Sequence, residues 1–415
     1  MWWFESRSTG RETRRPALTP HFHLGDLGRR DERNNHHFGL LSPTDKLRQF
    51  TLSGYFPSVS RESALHVLRT LPPQQCCFAM SNPFLSSSAS KPGHGTIHLA
   101  LLPPNTPRLK QVSYQYPLKL ISPSTSHVSD DQSHVVHTVY LLSYGGGLVA
   151  GDEINLKVIL ETNTRLVLLT QGSTKLFKAS SRDVLSEQCT TVEVAPTSAL
   201  CYLPDPVQPF ERSNFEQTQV YNILAPELGS QSGNLCVLDW VCNGRPANGE
   251  HWSFFRYGSR NEIYITRPDG KRRLLLRDNV ILDDNGIDGS IATRMDGQAV
   301  FGTLILFGPL LESLREFFMA EFKLLSRIGG RKWDSWSDCG DGEEDVDPAV
   351  ARRLVRQRLE NDAGVLWSAA SVRGCVVVKF AAPEVEAGKD WLRRMLLEEG
   401  SVKARFGERA FLCLR

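Results

Sequence analysis

The chain has 415 residues, 40% of them hydrophobic, enough for one large core or two to three ordinary ones. Its 48 basic and 46 acidic residues nearly cancel, and a net charge of +2 gives no global reason to expect nucleic acid or an anionic membrane as partner. Nine scattered cysteines contain no C-x-x-C pair, which argues against a zinc ribbon or thioredoxin-type site and for reduced, mostly buried thiols in a cytosolic protein.

Residues 1–79 read as a poorly ordered N-terminal extension. Arg, Asn, His and Pro dominate its first forty positions, and no apolar period is sustained. Leu65, Val67 and Leu68 sit near a possible short helix that Pro72-Pro73 would end. Trp2-Trp3, His21, His23 and His36-His37 could touch a metal, but loose histidines lack the fixed geometry that makes a site. The extension lacks the apolar core of a signal peptide. Glu5, Glu12, Asp26, Asp31 and Glu32 make it too acidic for a mitochondrial transit peptide. Met80 begins a segment of different character and is the expected functional start of a domain over 80–415.

From Gly95 to about Leu306 the pattern is β. Ile154, Leu156, Val158 and Leu160 nearly alternate with other residues, and Arg165–Leu169 is a compact apolar run. Further strands are expected at Thr190–Val194, Gln217–Tyr221, Leu235–Val241, Glu262–Thr266 and Arg273–Leu276, many separated by Gly, Pro, Asn or Asp. Several short strands with few helices between them predict a mainly β stack, sandwich or barrel rather than a doubly wound sheet. No repeat of fixed length is visible.

The C-terminal third adds helices. Leu311, Leu314, Phe318, Phe322 and Leu325 fall at helical spacing, and Asp347-Pro348 is a good helix start. The acidic stretch Asp338–Asp347 lacks the ligand spacing of a calcium loop and reads as solvated. A strand at Cys375–Phe380 and a helix at Glu384–Leu397 close the chain. The longest apolar run, Ala299–Leu311, is broken by Gly308-Pro309 and falls short of the ~20 residues a membrane span needs.

The loop Gly145-Gly146-Gly147-Leu148-Val149-Ala150-Gly151-Asp152 invites a phosphate-binding reading. It has no following Lys-Ser/Thr and leads into a strand pattern, so no helix N-terminus is expected to cradle a phosphate. A tight turn accounts for some of its glycines but not for the Asp152 that ends it. With five other segments this loop resembles the urease accessory protein D family. Leu169-Thr170-Gln171-Gly172-Ser173-Thr174-Lys175-Leu176-Phe177-Lys178 is similar to that family's Thr-Lys segment. Leu203-Pro204-Asp205-Pro206-Val207-Gln208-Pro209-Phe210 is similar to its Leu-Pro-x-Pro-x-x-Pro-Phe element. Asp239-Trp240, with Gly244-Arg245 through Gly249-Glu250-His251-Trp252 and Arg256-Tyr257, resembles its Gly-Arg-x-x-x-Gly-Glu element. Lys91–Gly95 and Tyr114–Leu118 resemble the fungal branch. The resemblance spans about residue 80 to the C-terminus. Ala150 stands where the family usually has Gly, and Gly172-Ser173 replaces a common Ala-containing pair.

The resemblance implies a stacked, β-helical-like architecture with a few helices near the C-terminus, and no catalytic activity. It implies partners: apo-urease, an F-type accessory protein and, through the latter, a GTPase that carries nickel. Nickel would be transient, passed through an internal channel to urease, with no nucleotide bound by this chain. A conduit should hold nickel weakly, through isolated carboxylates and carbonyls rather than a four-ligand cage. Asp152, Glu250 and Asp205 are the candidate nickel ligands, and each also reads as a turn-capping or ion-paired carboxylate. Lys175 and Arg245 are expected to pair with carboxylates. His134 and His137, three apart on a strand, point to opposite faces and make no shared metal site. No Ser-His-Asp or Cys-His arrangement follows from spacing. Against a urease-maturation scaffold stand a generic β-rich module for carbohydrate or peptide, and a hydrolase whose nucleophile the sequence does not reveal.

Overall fold

Alternation of apolar and polar residues makes strands that must bury one face, and here the chain satisfies this by coiling. The structure, a computed structural model, describes residues 91–129, 133–226, 230–285, 289–325 and 348–415. The N-terminal extension 1–79, its histidines, Cys76, Cys77, Cys339 and the acidic stretch 338–347 lie outside the described residues.

In chain order the strands begin with β1 (His94–Leu102), β2 (Thr106–Tyr114), β3 (Leu118–Ile121), β4 (Ser126–Ser129), β5 (Ser133–Ser143) and β6 (Gly147–Leu148). Next come β7 (Glu153–Leu160), β8 (Arg165–Leu169), β9 (Thr174–Leu176), β10 (Ser186–Val194), β11 (Ala199–Tyr202), β12 (Val207–Pro209), β13 (Asn214–Leu224) and β14 (Asn234–Cys242). The last are β15 (Arg256–Thr266), β16 (Arg272–Asp283), β17 (Val300–Phe307), β18 (Leu366–Val372) and β19 (Cys375–Ala382). The α-helices are α1 (Ile291–Met295), α2 (Glu312–Lys323), α3 (Pro348–Asp362), α4 (Val385–Glu399) and α5 (Ser401–Phe406).

Strands alternate between two sheets. The first sheet runs β16-β15-β13-β10-β7-β1-β2, and its inner strands β1, β7, β10, β13 and β15 pair in parallel. The second runs β18-β19-β17-β14-β11-β8-β5-β3, with β5, β8, β11 and β14 parallel. A short third strip, β6-β9-β12, is also parallel and joins the second sheet where Val207 faces Val241. Each coil therefore passes through first sheet, second sheet and corner. The coils begin at Glu153, Ser186, Asn214 and Arg256, at unequal intervals, which is why no fixed repeat is legible. The mainly β, stacked architecture with a few helices, mostly near the C-terminus, is as expected.

Two cores result. The first lies between the sheets and contains Ile97, Val158, Leu168, Tyr221, Val237 and Ile305. The second lies between the far face of the second sheet and the C-terminal helices, with Trp240, Phe318, Phe380, Trp391 and Phe406. The second sheet is thus covered on both faces, and every residue of β14 and β8 is buried. The six cysteines among the described residues are free thiols, five of them buried. No helix among the described residues is long and apolar enough to cross a membrane.

Candidate functional site

The segments singled out in the sequence fall on one edge of the coil. After Tyr144 the Gly-rich loop turns with positive φ at Gly145 and Gly146 and feeds the strands β6 and β7, not a helix. Gly147 pairs with Lys175 on β9, and a Cβ at position 147 would lie 2.4 Å from the Lys175 carbonyl oxygen. Lys175 in turn pairs with Gln208 on β12, whose side chain donates to the Gly244 carbonyl at 2.8 Å. Close approach of three successive corners is what the glycine provides.

Asp152 closes its own turn. Its Oδ2 accepts from the Val149 amide at 2.8 Å, and its own amide donates to the Val149 carbonyl at 2.9 Å. Glu250 is buried at the last corner. It accepts from Arg245 through both oxygens, with Nε to Oε2 at 2.8 Å, and from the Glu211 amide at 3.2 Å. Lys178 stands 3.4 Å from its Oε1. The paired Arg245 guanidinium holds the Glu250 carboxyl down to about 2. Arg245 itself lies over the Phe210 ring, 3.8 Å from the centroid. Arg245 thus finds the carboxylate expected of it. Lys175 does not: it is exposed with no ion pair among the described residues, because Lys178, three positions on, faces Glu211 and Glu250 instead.

Asp205 sits deeper. Its Oδ2 accepts from the Gly172 amide at 3.0 Å, its amide donates to Thr170 Oγ1 at 2.8 Å, and Lys389 from α4 approaches Oδ1 at 3.3 Å. Asp205 also lines an interior cavity, together with Thr170, Tyr202, Gln217, Gln219 and Asp239. Asp152 and Glu250 do not line it. His137 and His134 share β5, and the His137 ring bonds the Pro107 carbonyl at 3.0 Å.

Gln217, Gln219 and Asp239 of the cavity wall belong to a larger polar set that the sequence reading did not single out as a site. In the first sheet, Thr190, Gln219, Asn261 and Asp278 are direct partners across four neighbouring strands, β10, β13, β15 and β16. Gln217 and Ser259 form a parallel row one step away. Facing them in the second sheet, Asp239, Thr303 and Lys379 are direct partners across β14, β17 and β19. All of these lie on the strand phase that elsewhere carries Val237, Ile263, Ile305 and Val377, so they point between the sheets. The result is a polar stripe through an apolar core.

Asp239 is its centre. It is only 6% exposed, and its oxygens accept from Gln217 Nε2 at 2.7 Å, Asn261 Nδ2 at 2.6 Å and Ser259 Oγ at 2.5 Å. Burial pushes its carboxyl up from the ordinary range, the Ser259 and Asn261 bonds oppose that, and the nearby Asp278 carboxylate adds to it. Lys379 meets Asp278 Oδ1 at 2.7 Å and Thr303 Oγ1 at 3.3 Å. A buried carboxylate held by neutral donors is costly in a core that could have been apolar, which argues for a task other than stability. The legible signal was a polar residue on the buried phase of an alternating strand, as in Leu235-x-Val237-x-Asp239-x-Val241 and Gln217-x-Gln219-x-Tyr221.

Comparison with known proteins identifies the family. The UreD urease accessory protein family profile matches residues 93–409. A urease accessory protein ureD-like protein of Schizosaccharomyces pombe, described as uncharacterized, is 32% identical over 291 residues, covering 69% of this chain and 88% of its own. Urease accessory protein 4 of Cryptococcus neoformans is 31% identical over 346 residues, 76% of this chain and 93% of its own. Urease accessory protein D of Arabidopsis thaliana is 34% identical over 202 residues, 49% of this chain and 64% of its own. With the profile spanning the whole coil and its C-terminal helices, the chain belongs to the UreD family of urease accessory proteins, and its role lies in urease maturation.

Proposed function

We propose that this chain is a non-catalytic scaffold of urease maturation that works in the cytosol and passes nickel to apo-urease through the polar stripe between its two sheets. In this reading the chain holds apo-urease and an F-type accessory protein, and the latter brings a nickel-carrying GTPase. The observation that carries it is Asp239, a carboxylate buried between the sheets among Gln217, Ser259 and Asn261. Nickel accepts carboxylate, carbonyl and water oxygen, and isolated oxygen donors release it more readily than a closed cage.

Of the three carboxylates picked from the sequence, Asp205 keeps its place in this reading, because it lines the same cavity. Asp152 and Glu250 serve it indirectly, as the turn closure and the ion pair that fix two corners of the coil. The test is deletion of the gene, complemented with wild type, Asp239→Asn or Asp205→Asn, with urease activity and urease nickel content measured with and without excess nickel. Deletion should abolish nickel loading at ordinary nickel levels, and each variant should restore it only poorly. Normal urease in the deletion strain would refute the role, and full rescue by both variants would refute the route.

A further inference from the structure

Aromatic rings carry a large apolar area, so a bare one calls for a reason. Among the described residues the only exposed aromatic rings are Tyr116, 62% exposed, and Tyr144, 45% exposed. They stand against each other, with centroids 5.6 Å apart and planes at 43°. Backbone bonds anchor both: the Tyr144 amide donates to the Pro117 carbonyl at 2.9 Å, and the Tyr116 carbonyl accepts from the Gly93 amide at 2.7 Å. Lysines surround the pair. Lys119 Nζ lies 5.5 Å from the Tyr144 centroid, Lys91 is two residues before Gly93, and Lys175 pairs with Gly147, three residues on from Tyr144. None of these three lysines has an ion pair among the described residues, whereas Lys157, Lys178, Lys379 and Lys389 each have one. The first carboxylates after Tyr144 along the chain, Asp152 and Glu153, are engaged by the Val149 amide and the Asn155 side chain. Gly145 and Gly146 leave bare backbone beside the rings: a Cβ at either would meet nothing within 4 Å. The patch is aromatic, positive and open.

We propose that Tyr116 and Tyr144, ringed by Lys91, Lys119 and Lys175, are the surface on which apo-urease docks, through an acidic segment of its own. The choice of apo-urease rests on the maturation role proposed above. Tyrosine is a common anchor of protein interfaces, because it offers a large amphipathic face and loses little rotamer freedom on binding. Here the two rings and the bare glycine turn would seat the backbone and aliphatic carbons of the incoming segment. The three unpaired ammonium groups would meet its carboxylates. The chemistry also selects between the two protein partners. A small contact of two rings and three mobile charges steers association rather than sealing a broad apolar area, so it forms fast and releases. A scaffold must let go of its client once loading is complete, and the client is apo-urease.

The test is biolayer interferometry of the purified full-length chain against purified apo-urease and, separately, against the purified F-type protein. Wild type is compared with the double variants Tyr116→Ser/Tyr144→Ser and Lys119→Glu/Lys175→Glu. Lys271→Glu/Arg273→Glu, the same change of charge at an exposed hairpin, is the control. Circular dichroism checks the fold of each. All the substituted side chains except Lys119 are exposed, so little loss of stability is expected. The tyrosine variant should bind apo-urease about tenfold or more weakly, mainly through faster dissociation. The lysine variant should associate about tenfold more slowly at 50 mM salt, and the difference should shrink towards 500 mM. The control should stay within about twofold of wild type. Wild-type affinity for apo-urease in both test variants would overturn the proposal, and so would an equal loss in the control. Loss confined to the F-type protein would overturn the assignment to apo-urease. If wild type itself binds neither protein, the maturation reading falls and this surface with it; binding that ignores the patch sinks the surface alone.

Discussion

The two buried layers of this molecule are built from the two faces of the same sheet, yet they differ in kind. On the helix side of the second sheet, Trp240 packs on Phe380 and Phe380 on Trp391, with ring centroids 5.9 and 5.1 Å apart. Its charges are gathered in one buried ion-pair network under α3, where Arg353 and Arg356 meet Glu321 and Arg356 also meets Glu360. On the other face of the same strands, Asp239, Thr303 and Lys379 interrupt the apolar row. Adjacent residues on β14, Asp239 and Trp240, thus belong to opposite regimes. One layer centres on stacked aromatic rings; the other carries a polar stripe across an apolar core.

Breaking the dry layer should cost the most. Phe380→Ala removes a ring buried against two tryptophans and should lower unfolding stability by about 3–5 kcal/mol in denaturant titration. In the polar layer the outcome depends on what replaces the charge. Asp239→Leu strands the donors of Gln217, Ser259 and Asn261 and should lose roughly 2 kcal/mol or more. Asp239→Asn keeps one acceptor oxygen, enough for Ser259 and Asn261, and turns the other towards Gln217 as a donor, so it should lose less, about 1 kcal/mol near pH 7. The pH sign sharpens this. A carboxyl raised by burial favours the folded state while protonated, below its unfolded value of 3.8, and that contribution is lost as pH rises through its folded value. Asp239→Asn should therefore gain on wild type as pH rises above 4, read from melting curves across pH.

Glu250 behaves in the opposite sense. Its carboxyl is held near 2 against an ordinary 4.5, so its contribution is present above 4.5 and lost as pH falls towards 2. Glu250→Gln should melt earlier than wild type at neutral pH, and the gap should close through that window. The smallest effect is expected at Lys175→Ala, an exposed site, with a change within about 0.5 kcal/mol.

Much of the fold was legible. Arg165–Leu169 is β8 to the residue, and the expected runs at Thr190–Val194 and Gln217–Tyr221 lie inside β10 and β13. The expected helices at Leu311–Leu325 and Glu384–Leu397 correspond to α2 and α4. Strand β18 was not expected; its residues are largely exposed, so no buried alternation marks it. Helix α3 does start at Pro348, but its apolar period is weak because Arg356 and Glu360 face inward while Leu354 and Val355 face out. Asp205 could be picked because Gly and Pro flank motif residues. Asp239, Asn261 and Asp278 could not, because their meaning depends on which strand lies beside which. Positions 190, 219, 261 and 278 become neighbours only through the coil.

The in-register stacking of those strands also fixes a stride. Neighbouring strands in any sheet lie roughly 4.8 Å apart, so the groups of the Thr190–Gln219–Asn261–Asp278 row recur at that pitch. On the proposed route, a cation that lets go of one rung would be within reach of the next and would not have to stand in bare hydrocarbon between them. Hydrogen bonding of the backbone, laid down for folding, thereby spaces the stepping stones.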